Sequence, residues 1–171
     1  MLIVFSGLPG TGKTTIASAL AGKTRALYLR IDTIEQALRN SGALGQDVGR
    51  SGYVIANELA LSNLRFGSTV IVDCVNPVAE SRTAWREVAA RADTPLVNVE
   101  VVCSDKHEHQ RRVETRKIDV PGLIPPTWQS VLNSDYEEWD LRPLRIDTAS
   151  VSAAEAVTLL IEQFFCQGSQ R

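Results

Sequence analysis

Short apolar runs, several rich in β-branched residues, recur along the chain at 2-5 (LIVF), 26-29 (ALYL), 69-72 (TVIV), 96-102 (LVNVEVV) and, more weakly, 143-147 (PLRID). Between them the apolar positions repeat with helical spacing, over about 13-22, 33-40, 51-66, 78-92, 105-117, 127-139 and 152-166. Strands alternating with helices predict an α/β domain of three layers, a five-stranded parallel sheet covered on both faces. Ser152 stands three residues before Glu155 and the run Val157-Leu159-Leu160-Ile161, the form of an N-capping box for the last helix. Two segments rich in glycine or proline, 41-52 (SGALGQDVGRSG) and 119-126 (DVPGLIPP), read either as surface connections or as mobile covers over a ligand. The tail 167-171 is expected to fray, leaving 1-166 as one domain.

A chain of 171 residues is one domain's worth, and 44% apolar with 22% charged residues is ordinary for a soluble globular protein. Eighteen Lys plus Arg against twenty Asp plus Glu leave a net charge of -2, so no strongly basic body marks nucleic-acid or membrane binding. Cys74, Cys103 and Cys166 lack metal-like spacing and sit among apolar neighbours, so they read as reduced thiols packed like small core residues. The first apolar run has no charged segment before it and is too short to span a bilayer; the expected location is the cytoplasm.

Chemistry enters directly after the first strand. Gly7-Leu8-Pro9-Gly10-Thr11-Gly12-Lys13-Thr14 matches G-x-x-x-x-G-K-[ST] at every fixed position. Glycines let successive backbone N–H groups turn onto phosphate oxygens, Lys13 adds a point charge, and the following helix presents its positive end. The hydroxyl of Thr14 suits Mg²⁺, and Thr15 completes the loop's contact with the nucleotide. A chance match in a chain of this length is on the order of 1%. G-x-G-x-x-G does not occur, since position 15 is Thr, which leaves a nucleoside triphosphate instead of a dinucleotide.

Hydrolysis and transfer differ in what they need next. The third strand ends in Asp73, placed to help hold Mg²⁺, but Cys74 follows where a water-activating Glu often stands. No N-K-x-D sequence is present to read guanine. Transfer to a hydroxyl requires a base on the acceptor, cations on the moving charge and exclusion of water. Asp32 follows the second strand (YLRID) and emerges at the carboxyl edge of a parallel sheet, as base or as helix N-cap. Arg112 and Arg116, four apart in HQRRVETRK, would share a helix face and clamp phosphate oxygens, or else be solvated with Glu108 and Glu114 as partners. With the break 119-126 behind them they form a candidate lid over about 105-128.

Together GLPGTGKTT, LRID, VIVDCVNPVAESRTAWREVA and RRVETR leading into VPGLIPPTWQSVLNSDYEEW resemble the P-loop kinases of adenylate-kinase-like fold. Within these the chain is most similar to polynucleotide 5'-hydroxyl kinase and bacterial AAA-type predicted kinases, and less so to zeta toxins and chloramphenicol phosphotransferase. The resemblance implies strand order 2-3-1-4-5 and an ATP- and Mg²⁺-dependent kinase acting on a hydroxyl. It assigns phosphate and metal binding to Lys13 and Thr14, the general base to Asp32, lid cations to Arg112 and Arg116, and the acceptor side to Asp73, Asn76 and Arg82. Polynucleotide kinases carry a basic residue shortly after the base, where this chain has Thr33-Ile34-Glu35-Gln36 and Arg39 is the first cation. With the mildly acidic net charge, that favours a small-molecule acceptor over a nucleic-acid end. The alternative from another class is a nucleotide-binding regulatory protein with little catalysis.

Other residues are expected to be structural. His107 and His109 are two apart on a helix and face different ways. Trp85, Trp128, Trp139 and Tyr53 read as packing, and Thr148 falls, by fold analogy, near the adenine base.

Overall fold

Hydrogen bonding of five parallel strands in the order β2-β3-β1-β4-β5 organises the chain. The computed structural model describes residues 1–42, 44 and 47–166. The strands are β1 (Leu2–Ser6), β2 (Leu27–Arg30), β3 (Val70–Asp73), β4 (Leu96–Val102) and β5 (Leu144–Asp147). The helices are α1 (Lys13–Thr24), α2 (Ile31–Ser41), α3 (Ser51–Arg65), α4 (Ala79–Arg91), α5 (Lys106–Glu114), α6 (Trp128–Leu132) and α7 (Ala153–Phe164). No helix among the described residues is long and apolar enough to cross a membrane.

The continuous apolar run of β1 splits by pleat onto two cores. Leu2 and Val4 face one side with Val70 and Val72, under Ala56, Ala60 and Leu61 of α3 and Trp85 and Val88 of α4. Ile3 and Phe5 face the other with Ile71, Val99 and Val101, under Ile16 and Leu20 of α1 and Val157 and Leu160 of α7. Both faces are therefore dry along Leu2–Phe5 and Val70–Val72, and polar residues enter only at the carboxyl ends, as Ser6 and Asp73. In register, Phe5 pairs with Asp73 and Arg30 with Asp73, so the carboxyl ends of β2, β3 and β1 lie side by side.

Caps follow local chemistry. Ser152 and Glu155 form the expected capping box, and Asp105 accepts from His107 N and Glu108 N to start α5. Three expectations fail. The helix over 127-139 stops at Leu132, because the following backbone is used elsewhere: Glu137 N donates to Pro77 O (2.8 Å), and the Glu137 and Glu138 carbonyls accept from Arg82. The α5 helix ends at Glu114, so Arg116 lies beyond it and shares no helix face with Arg112. Cys74 and Cys103 are buried as expected, whereas Cys166 is exposed past the end of α7. The expected frayed tail 167-171 and positions 43, 45 and 46 of the 41-52 segment lie outside the described residues.

Candidate active site

The loop between β1 and α1 is shaped by backbone that only glycine adopts freely. Gly10 and Gly12 have φ of 84° and 93°. A Cβ on Gly7 would stand 2.3 Å from the Val101 carbonyl oxygen, and one on Gly10 would stand 2.5 Å from a Val113 methyl. Neighbours brace the loop from outside: the Thr11 hydroxyl donates to Leu8 O (2.9 Å), His109 Nε2 lies 2.8 Å from Pro9 O, and the Thr148 hydroxyl donates to Thr11 O (2.8 Å). His109 is thus a buried brace, held edge-on against Trp128 with ring centres 5.1 Å apart. His107 is exposed while His109 is buried, so the two histidines do face apart.

In front of the loop is a cavity of about 350 Å³ lined by Gly10, Gly12, Lys13, Thr14 and Thr15 on one side and by Arg30, Arg112, Arg116, Lys117 and Asp119 on the other. Five cations and one carboxylate surround it, a composition that suits a polyphosphate. Among the described residues no carboxylate pairs with Lys13, which leaves its ammonium for a ligand. Arg112 is pre-aimed: Nε donates to Glu108 (2.7 Å), while Nη1 and Nη2 donate to the hydroxyl and carbonyl of Thr148 (2.8 and 3.2 Å). Hydrogen bonds from Arg111 and then Arg112 pull the Glu108 carboxyl down to about 2. Glu114 pairs instead with Gln110.

Asp32 sits in the first turn of α2. The cap position belongs to Arg30, so Asp32 is not the N-cap. Its carboxylate is one-third exposed and lies 3.5 Å from Arg30 Nη2 and 3.9 Å from Arg116 Nη2. The two arginines predicted to share a helix face therefore part: Arg112 stays beside the glycine loop and Arg116 crosses to Asp32. Asp73 is buried at the end of β3, where its Oδ2 accepts from the Tyr28 hydroxyl (2.8 Å). Burial, reinforced by Asp73, raises the Tyr28 phenol, which stays a protonated donor.

Asn76 and Arg82 do not face the cavity. Asn76, fully buried with φ 51°, donates from Nδ2 to the Ser6 hydroxyl and from N to the Tyr53 hydroxyl, both at 3.0 Å. Arg82 is 1% exposed; its guanidinium donates to the carbonyls of Asn76, Pro77, Glu137 and Glu138 at 2.7–3.2 Å. With four of its five N–H groups on main-chain carbonyls and the side chain 1% exposed, it is out of reach of an acceptor in the cavity, so its expected place on the acceptor side is corrected to a clamp. Tyr53 and Trp85 pack in the core below α3 and α4, and Trp139 donates its indole N–H to Glu100 (3.0 Å).

The residue missed in the sequence is Arg30. It is 8% exposed, ends β2, and meets Asp32, Asp73 and Asp119, the last at 2.6 Å. Its signal was present inside LRID: a guanidinium in a strand otherwise apolar is kept there only by partners. The segment carrying Asp119 lies down with it, since Val120 is buried and Gly122 abuts Gln36 of α2.

The model of one family, described as an AAA domain, matches residues 2–121, more than half of the chain and all of the glycine loop, Asp32, Asp73 and Arg112. The chain belongs to this AAA domain family. Solved structures that share the AAA domain's fold include a candidate kinase from Chloroflexus aurantiacus, with 21% identity over 95% of this chain and 94% of that one and a TM-score of 0.74. A gluconokinase from Sinorhizobium meliloti matches at 18% identity over 97% and 96%, TM-score 0.60. The APS kinase of Mycobacterium tuberculosis, in complex with AMPPNP and APS, matches at 19% identity over 94% and 95%, TM-score 0.64. None of the curated proteins compared matches the chain. At these identities the likeness establishes a P-loop three-layer α/β/α fold for this AAA domain, in the strand order expected.

A divalent cation fits the donor chemistry present. Thr14 lines the cavity and Asp73 ends the strand beside β1, a hydroxyl and a carboxylate oxygen of the hard kind that Mg²⁺ takes together with phosphate and water.

Proposed function

We propose that this AAA domain is an ATP-dependent phosphotransferase that moves the γ-phosphoryl group onto a hydroxyl of a small molecule. The observation that carries the reading is the cavity lined by Lys13, Arg112 and Arg116, with the carboxylate of Asp32 3.9 Å from the Arg116 guanidinium. The kinase relatives named above support it, as does the resemblance of the motifs to polynucleotide kinases.

Glycine-loop N–H groups and Lys13 bind the β- and γ-phosphates. Arg112, immobilised by Glu108 and Thr148, and Arg116 spread positive charge over the equatorial oxygens as negative charge develops. Asp32 accepts the proton of the acceptor hydroxyl; that oxygen bonds to the γ-phosphorus as the bond to the ADP oxygen breaks, and ADP leaves. Thr14 and Asp73 would hold Mg²⁺, whose charge would neutralise the phosphate oxygens when bound. The lid over about 105-128 keeps water from the γ-phosphorus, which favours transfer over hydrolysis. On the acceptor side no cation follows Asp32 before Arg39, and Arg39 is paired with Glu35 at 3.5 Å, an arrangement suited to a small acceptor better than to a chain of phosphates.

The test is to follow label from γ-labelled ATP into fractionated metabolites and a 5'-hydroxyl oligonucleotide. Label on a metabolite is the expected result, and Asp32→Asn is expected to keep nucleotide binding while transfer falls about 10²–10⁴-fold. Label on the oligonucleotide reassigns the acceptor to a nucleic-acid end. Label appearing only as free phosphate, at a rate insensitive to Asp32→Asn, overturns the reading.

A further inference from the structure

We infer that the acceptor is an alcohol that also carries an oxyanion, a carboxylate or a phosphate, and that Arg30 reads this group; the inference rests on the phosphotransferase reading above. Arg30, at the end of β2, and Lys13, at the start of α1, line the same cavity. Because β3 intervenes between β2 and β1, the end of β2 lies about 10 Å from the end of the strand that delivers the glycine loop. Arg30 therefore stands across the cavity from the nucleotide cradle, beside the base Asp32.

Its bonding is incomplete in a telling way. Only Nη1 is hydrogen-bonded, to Asp119. Nε and Nη2 are buried without a hydrogen-bond partner, the nearest carboxylate oxygens being 3.9 Å away on Asp73 and 3.5 Å away on Asp32. Buried guanidinium donors are ordinarily satisfied, and a planar fork with two spare N–H groups is shaped for a bidentate oxyanion.

Asp119 marks one arm of that site: it holds Nη1, so an oxyanion displacing it would meet Nη1 together with the spare Nη2. Its side chain is 59% exposed, so a ligand arriving from solvent can compete with it for Nη1. Replacing it by the anion of a substrate exchanges one negative charge for another, and the balance against Asp32 and Asp73 is unchanged. One guanidinium touches both the anion position and the base, so the reacting hydroxyl lies only a few bonds from the acidic group. Arg30 thereby fills the role left open on α2, where Thr33, Ile34, Glu35 and Gln36 provide no cation after the base.

Matched pairs test this: glycerate or glycerol 3-phosphate against glycerol, and gluconate against glucose, each with γ-labelled ATP. The wild type is expected to favour the anionic member by about 10-fold or more in kcat/KM. Asp119→Asn, which removes the competing carboxylate from an exposed position, is expected to shift the ratio of KM values a further severalfold toward the anionic member. Arg30→Gln is expected to erase the preference; its fold is checked by circular dichroism, and Asp119→Asn carries the test if that variant does not fold. The choice between glycerate and glycerol 3-phosphate names the anion. Neutral alcohols labelled as well as the acids, or an unchanged KM ratio in Asp119→Asn, overturn this inference and leave the kinase reading intact. Label on no acceptor, in these pairs or in the metabolite fractions, overturns both.

Discussion

The Arg82 guanidinium lies 4.1 Å from the centre of the Trp139 ring and 5.2 Å from that of Tyr136, so a buried cation is held against two aromatic rings while it ties two loops together. One loop, 76–77, follows β3 at the site; the other, 137–138, would otherwise leave its carbonyls without partners. Arg82 is structural support for the site, and its loss takes the side-chain donor from the carbonyls of Asn76, Glu137 and Glu138, while Pro77 O keeps Glu137 N.

Arg82→Met is accordingly expected to destabilise the fold by about 3–5 kcal/mol, and Arg82→Lys by about 2 kcal/mol, since an ammonium keeps the charge but cannot span four acceptors. Urea unfolding midpoints check this. A loss below about 1 kcal/mol for the Met variant would show that water replaces the guanidinium.

Gly10→Ala places a methyl group 2.5 Å from Val113 and 3.2 Å from the His109 ring, on backbone with φ 84°. The expected cost is about 2 kcal/mol in stability together with weaker ATP binding by titration calorimetry. Adding Val113→Ala relieves the clash but not the left-handed backbone, so the double variant is expected to recover only part of the affinity.

Glu108 carries a pH signature. Its folded value, about 2, lies below the ordinary 4.5 because Arg111 and then Arg112 donate to it. A depressed carboxyl contributes stability that is complete above the ordinary value and is lost as pH falls through the folded one. Wild type is therefore expected to be more stable than Glu108→Gln above pH 4.5, with the gap closing toward pH 2 in denaturation profiles. Because Glu108 also orients Arg112, the same variant is expected to bind ATP more weakly at neutral pH.

Elements set by short-range rules were legible in the chain. The apolar runs placed all five strands to within a residue or two, since a strand dry on both faces has no polar alternation to obscure it. The glycine loop was readable because its φ values and close contacts admit no side chain, and the Ser152–Glu155 box because both partners lie within one turn. Helical periodicity over 127-139 misled, because periodicity does not report that Pro77 and Arg82 capture that backbone.

By itself, then, the sequence determined the layers, the phosphate loop and the placing of Asp32 just past β2, all properties of spacing and local backbone. The tertiary structure decided the partners of the long cations. Arg82 reaches 137–138 across more than fifty residues, Arg30 reaches Asp119 over eighty-nine, and Arg116 leaves the helix to meet Asp32. A guanidinium on a flexible stem is committed by whichever carbonyl or carboxylate the packed sheet brings within about 3–4 Å, and that distance exists only once β2, β3 and the segment carrying Asp119 are side by side.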